Sequence, residues 1–319
     1  MCRSCRFKKC EIAGMKRNHV QASRESGRCT RNDPGNSLEA STQQSRNSLP
    51  PSIECPTLSA SKSGYLERME FGLRGYKEGQ ESLYYVLNPT KLDGSNVPEP
   101  VTIDQFYEMD RGCFMLARKM LLESFEHFGL FRERDKIRIS ETFYVAFSVL
   151  EANHQSSIHF PHSKDTRFCL HHRQYVDHAN LSHFYASEKQ PQLQALYIGF
   201  SFGRGRRYIN KLVKLQPSGI EIGAMMGLIF WSVVTSDSIA NDEIANREKD
   251  KIHAELHRIY LELYGTSQAG IRLGVVLNLV WEAMEIGRHV VETMSLSKVF
   301  NFTHERSEDA WSLFRSAPQ

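Results

Sequence analysis

From Val101 onward, apolar positions recur with the 3.6-residue period of helices buried by one face. Thr102–Asp104 offers a cap before Phe106, Met109, Phe114, Met115, Leu116, Leu121, Leu122 and Phe125. Ser140 offers another before Phe143, Val145, Ala146, Phe147, Val149 and Leu150. Apolarity is nearly continuous from Ile220 to Val234, which predicts a helix covered on most sides. That run is too short to span a bilayer, which needs about 18 apolar residues. Ile252, Leu256, Ile259 and Leu263 share one face, with Glu248, Lys249, Lys251 and Glu255 predicted on the outer one. Gly265 is a helix stop. Ile271, Val275, Leu279, Ala283, Ile286, Val290 and Met294 then mark a last long helix. Residues 153–192, rich in histidine and without a period, read as a loop with room for a short β-hairpin. A helix buried on both sides needs a layer above and below it, so the expected fold is an all-α, three-layer helical sandwich.

Composition changes the picture upstream. Residues 1–31 hold nine Lys or Arg against Glu11 and Glu25, leaving the rest of a chain of net charge +3 mildly acidic. A basic arm on an acidic body points to a nucleic-acid contact or an import signal. Residues 32–63 contain eight Ser and four Pro, and no aromatic falls between Phe7 and Tyr65. Such a stretch cannot offset the entropy of ordering itself. The expected division is 1–25 as a basic, cysteine-containing piece, 26–64 as a disordered hinge, 65–100 as a poorly defined lead-in, and 101–319 as the folded body. No apolar leader precedes Cys2, so the seven cysteines are expected as thiols or metal ligands in a reducing compartment.

Cys2-Arg3-Ser4-Cys5 has the bite of two thiolates on one tetrahedral zinc. The longer string Cys2-Arg3-Ser4-Cys5-Arg6-Phe7-Lys8-Lys9-Cys10-Glu11-Ile12-Ala13-Gly14-Met15, with its basic continuation, resembles the end of the second zinc module of nuclear receptors. The resemblance is to the hepatocyte-nuclear-factor-four-like branch and its large set of nematode relatives. It implies Cys2 and Cys5 as the last two zinc ligands, and Arg3, Arg6, Lys8, Lys9, Lys16 and Arg17 as phosphate contacts that position without reading sequence. The first zinc module and the two earlier ligands have no counterpart in this sequence. Zinc is therefore implied by the family, with an incomplete ligand set, and specific DNA binding is expected only if the missing module is encoded upstream.

A second, independent string, Leu121 to Ile139, resembles the signature of the nuclear receptor ligand-binding domain, with Phe128, Phe131, Asp135 and Lys136 at its fixed places. The resemblance implies a nuclear location, a buried cavity for a small lipophilic ligand, and a groove for a coregulator helix. It further implies a homodimer or heterodimer with another nuclear receptor, with no enzyme activity and no membrane. Phe114, Met115, Phe147, Leu150, Met225 and Ile229 are the cavity candidates. The groove is expected at Glu123, Phe128 and Glu141, closed by Trp311, Leu313 and Phe314. The dimer face is expected at Val275, Leu279, Arg288 and Val291. In the family, two lysines cap the negative end of the docked helix. Here their places fall on Glu123 and Glu141, unless a shifted alignment restores Lys119. Two readings compete. Seven histidines between His154 and His183 raise a metal site, yet no HxxxH or HExxH falls on a predicted helix. A body without its zinc modules is also suited to sequestering receptor partners. No GxxxxGK[ST] or GxSxG motif is present.

Overall fold

A computed structural model describes residues 64–91, 97–188, 190–237 and 242–299. In chain order its helices are α1 (Tyr65–Leu87), α2 (Ile103–Ser124), α3 (Glu133–His159), the single-turn α4 (Leu181–Phe184), α5 (Pro191–Leu215), α6 (Gly219–Asp237), α7 (Asp242–Tyr264) and α8 (Thr266–Val299). Three short strands, β1 (Glu99–Pro100), β2 (Arg167–His171) and β3 (Gln174–Asp177), pair in the order β1-β3-β2. β1 runs parallel to β3 and β2 antiparallel to it. Helices α1 and α2 form one outer layer and α5 and α8 the other, with α3, α6 and α7 between them. The all-α sandwich expected from the periodicity is the fold.

Local chemistry fixes these elements. Thr102 caps α2 as expected, its hydroxyl accepting from the Gln105 N–H while the Gln105 side chain accepts from the Thr102 N–H. Ser218 and Glu221 close α6 in the same way. Every residue from Glu221 to Trp231 is buried, as near-continuous apolarity requires. Two glycines let backbones approach. A Cβ on Gly223 would lie 3.0 Å from the Glu70 nitrogen of α1, and one on Gly287 3.2 Å from the Ala146 Cα of α3. Gly265 separates α7 from α8 at a φ of 74°.

The structure corrects four expectations. The lead-in 65–100 holds α1, which buries Leu66, Met69, Leu73, Tyr76, Gln80 and Tyr84. Those positions step by three and four, but the intervening polar residues lower the average that suggested a vague segment. Ser140 does not cap a helix. α3 begins at Glu133, where Glu133 and Asp135 suit the positive end of the dipole, and the Ser140 hydroxyl donates to the Lys136 carbonyl. α3 also runs on to His159, and only then come the hairpin and α4. On α7, Glu248 is buried while Leu263 is exposed. The face against α1 is polar because Tyr65, which accepts from the Trp231 indole, is hydrogen-bonded to Glu248, itself 2.6 Å from Lys251.

Candidate functional site

The joint between α2 and α3 is built on aromatic rings. α2 ends at Ser124, the chain makes a 3-10 turn over Glu126–Leu130, and α3 follows. Phe128 in that turn is fully buried, edge-on to Phe230 and Phe131 at 5.6 and 6.0 Å, and Phe125 stacks on Phe230 at 4.2 Å. Phe128 therefore supports the joint from beneath. Above it the surface is mixed. Glu123 is exposed on the last turn of α2, 3.7 Å from Lys119, while Glu141 on α3 is partly covered. Leu122 and Leu130 stand exposed close by in sequence. Lys136 is largely covered and lies 2.8 Å from Glu133.

Of the six cavity candidates, Phe114, Phe147, Leu150, Met225 and Ile229 join one continuous core shared by α1, α2, α3, α6 and α8. Met115 does not: it is 57% exposed, because it lies one position beyond the inward stripe Met109, Cys113, Phe114, Ala117. An open depression of about 380 Å³ lies elsewhere, lined by His178, Leu181, Ala195 and Leu196 between α4 and α5.

A buried polar cluster that the periodicity did not reveal ties the hairpin to α2 and α3. The Tyr144 hydroxyl donates to Asp110 Oδ1 at 2.6 Å, and His171 Nε2 lies 3.2 Å from the same oxygen. Phe106 stacks on the His171 ring at 5.3 Å. Burial opposes a charge on His171, but the Cys113 thiol and the Asp110 carboxylate beside it raise its pKa to about 10. One layer further in, burial raises the Glu151 carboxyl, which accepts from the Gln155 amide at 3.1 Å. Gln80 donates to Tyr76 and accepts from the His172 N–H. The available signal was weak: single acids, Asp110 and Glu151, at positions where the helical period calls for apolar residues.

On α8 the structure divides the predicted dimer residues. Leu279 is fully buried and belongs to the core, since it faces α3 with Val276 and Ala283. Val275, Arg288 and Val291 are exposed, with Arg288 paired to Glu285. Sequence reading missed Trp281, 58% exposed on the same outer face, together with Ile271 and Leu296. A further ion pair locks the start of this helix, Arg272 gripping Glu221 through two bonds of 2.7 and 2.9 Å while Tyr260 donates to Glu221.

Cys2, Cys5, Arg3, Arg6, Lys8, Lys9, Lys16, Arg17, Trp311, Leu313 and Phe314 lie outside the described residues. Cys2 and Cys5 are two of the four ligands a structural zinc needs. Among the described residues no group of three or more His, Cys, Asp or Glu is placed to hold a metal. Two cysteines leave the ligand set of a structural zinc incomplete.

A layered all-α sandwich in which the outer helix α2 passes through a buried aromatic turn into the inner helix α3 fits a receptor domain. The family model for the ligand-binding domain of nuclear hormone receptor matches residues 94–300, and the chain belongs to the nuclear hormone receptor family. It is 23% identical over 316 residues to nuclear hormone receptor family member nhr-28 of Caenorhabditis briggsae, an alignment covering 94% of this chain and 69% of that protein. It is 28% identical over 187 residues to nhr-57 of Caenorhabditis elegans, covering 58% and 46% respectively. With nhr-53 of Caenorhabditis elegans it shares 20% identity over 309 residues, covering 94% and 76%. The family consists of transcription regulators, so this chain is a regulator and not an enzyme. Helix α1 precedes the matched range, yet it supplies the core with five buried side chains.

Proposed function

We propose that the helical body regulates transcription in the nucleus through what it binds: a small lipophilic ligand inside, a coregulator helix at the α2–α3 joint, and a second receptor along α8. The observation that carries the reading is the joint itself. Phe128 and Phe125 anchor the ends of α2 and α3 on Phe230 of the central helix, so a shift in the core reaches the outer surface directly. The largely apolar surroundings of Phe114, Phe147, Leu150, Met225 and Ile229 suit an apolar ligand. No described helix is long and apolar enough to cross a membrane.

Charge at the joint sets the kind of coregulator. A docked helix presents its negative end where Glu123 and Glu141 stand, so each carboxylate opposes the dipole that a lysine favours, a change of sign in an interaction of about 0.3–1 kcal/mol. Ordinary LxxLL peptides are therefore expected to bind weakly, leaving repression or another partner as the output. Fluorescence titration of an LxxLL peptide should give a Kd that falls about tenfold or more in the Glu123→Lys/Glu141→Lys double variant. Tight binding to the unaltered chain, unchanged by those substitutions, would refute this part of the reading.

A further inference from the structure

Helix α7 carries two imidazoles one turn apart. His253 and His257 stand at i and i+4, a spacing that puts side chains on one face with about 5–6 Å between their Cβ atoms. The seven histidines between His154 and His183 hold no pair at that spacing. His253 is half-buried beside the inward stripe Ala245, Ile252, Leu256 and Tyr260, and His257 is exposed one turn further on. Both rings therefore reach solvent from the same side of a regular helix. Asp250, exposed one turn before His253, belongs to that side as well. The cations of this stretch are engaged elsewhere. Lys249 donates to the Thr235 hydroxyl at 3.3 Å, Lys251 pairs with Glu248 at 2.6 Å, and Arg258 pairs with Glu262 at 2.8 Å. Partial burial holds His253 below the usual histidine pKa, against the opposing pull of Asp250. Its ring is thus neutral near pH 7, the form that offers a lone pair to a metal.

We infer that His253 and His257 form a chelating site for one divalent late transition ion such as Zn2+, with Asp250 adding a favourable field. Zinc bonds imidazole nitrogens at about 2.0–2.1 Å, so two of them on a tetrahedral centre are about 3.3 Å apart. Rings one helical turn apart close that span. Imidazole suits Zn, Cu and Ni, whereas Mg2+ and Ca2+ take oxygen ligands. Among the described residues no third His, Cys, Asp or Glu completes the set, so water fills the remaining positions. The site is separate from the zinc that the N-terminal cysteines imply. Because the two nitrogens converge only on the folded helix, the ion stabilises the body by mass action.

The test uses the full chain, His257→Ala, and His257→Ala/Arg258→His. The last keeps both imidazoles but turns them about 140° apart around the helix. Circular dichroism should show all three folding alike, since positions 257 and 258 are exposed. Titration calorimetry with Zn2+ should give one site more in the unaltered chain than in either variant, or a site at least tenfold tighter, whatever the cysteines take up. Zn2+ at about a hundredfold excess over its Kd should raise the Tm of the unaltered chain by about 5 °C more than that of either variant. Equal zinc uptake and equal Tm shifts in all three chains overturn the site. Uptake by the respaced variant equal to that of the unaltered chain also overturns it, because the ion then answers to histidine content and not to a chelate.

Discussion

Asp110 and His171 meet in the core, one on α2 and the other at the end of β2, and each is costly there without the other. Removing one member of a buried pair leaves a stranded charge, typically a loss of about 3–5 kcal/mol. The pair also has a sign in pH. His171 is raised to about 10 in the folded state against an ordinary value of 6.5, so its contribution is fully present below about pH 6.5 and is lost as pH climbs towards 10. Chemical denaturation at pH 6 and pH 9.5 should therefore show the domain weakening across that interval, and His171→Gln should start less stable and flatten the dependence. A His171→Gln curve parallel to that of the unaltered chain contradicts the assignment. Asp110 was visible in the sequence only as an acid following Met109. Its partner lies sixty residues on, in a stretch with no period, so no local pattern could have joined them.

The elements were legible in proportion to how far their burial follows a helical period. α2 and α6 read clearly, the first from its Thr102 cap and the second from its unbroken apolarity. α1 did not, although Leu66, Met69, Leu73 and Tyr76 carry the right spacing, because Glu and Arg at the exposed positions between them match the polar stretch upstream. α7 misled for a different reason: its buried Glu248 is admitted by Tyr65 and Lys251, partners that periodicity cannot supply. α8 was divided between core and surface only by coordinates, since Leu279 and Val275 are equally apolar and one helical turn apart, yet Leu279 is fully buried and Val275 is 41% exposed at the edge of the core face. At this scale the Glu221–Arg272–Tyr260 cluster ties α6, α7 and α8 together. Glu221→Ala should cost about 3–5 kcal/mol and lower the Tm by many degrees. Calorimetry giving a loss below about 1 kcal/mol would show that the helices are held by packing alone.

At the scale of the whole molecule, the proposed function makes the helical body an effector in its own right, with a central helix that touches every layer. The signature residues led to the right family and the right joint, while the cavity and groove residues remain proposals drawn from them. The most direct test is to fuse the full chain to an unrelated DNA-binding domain and measure transcription from a reporter carrying that domain's site. The proposed function predicts an output that differs several-fold from the DNA-binding domain alone, and that rises with Glu123→Lys/Glu141→Lys. A fusion expressed at equal level, folded, and indistinguishable from the DNA-binding domain alone would contradict it.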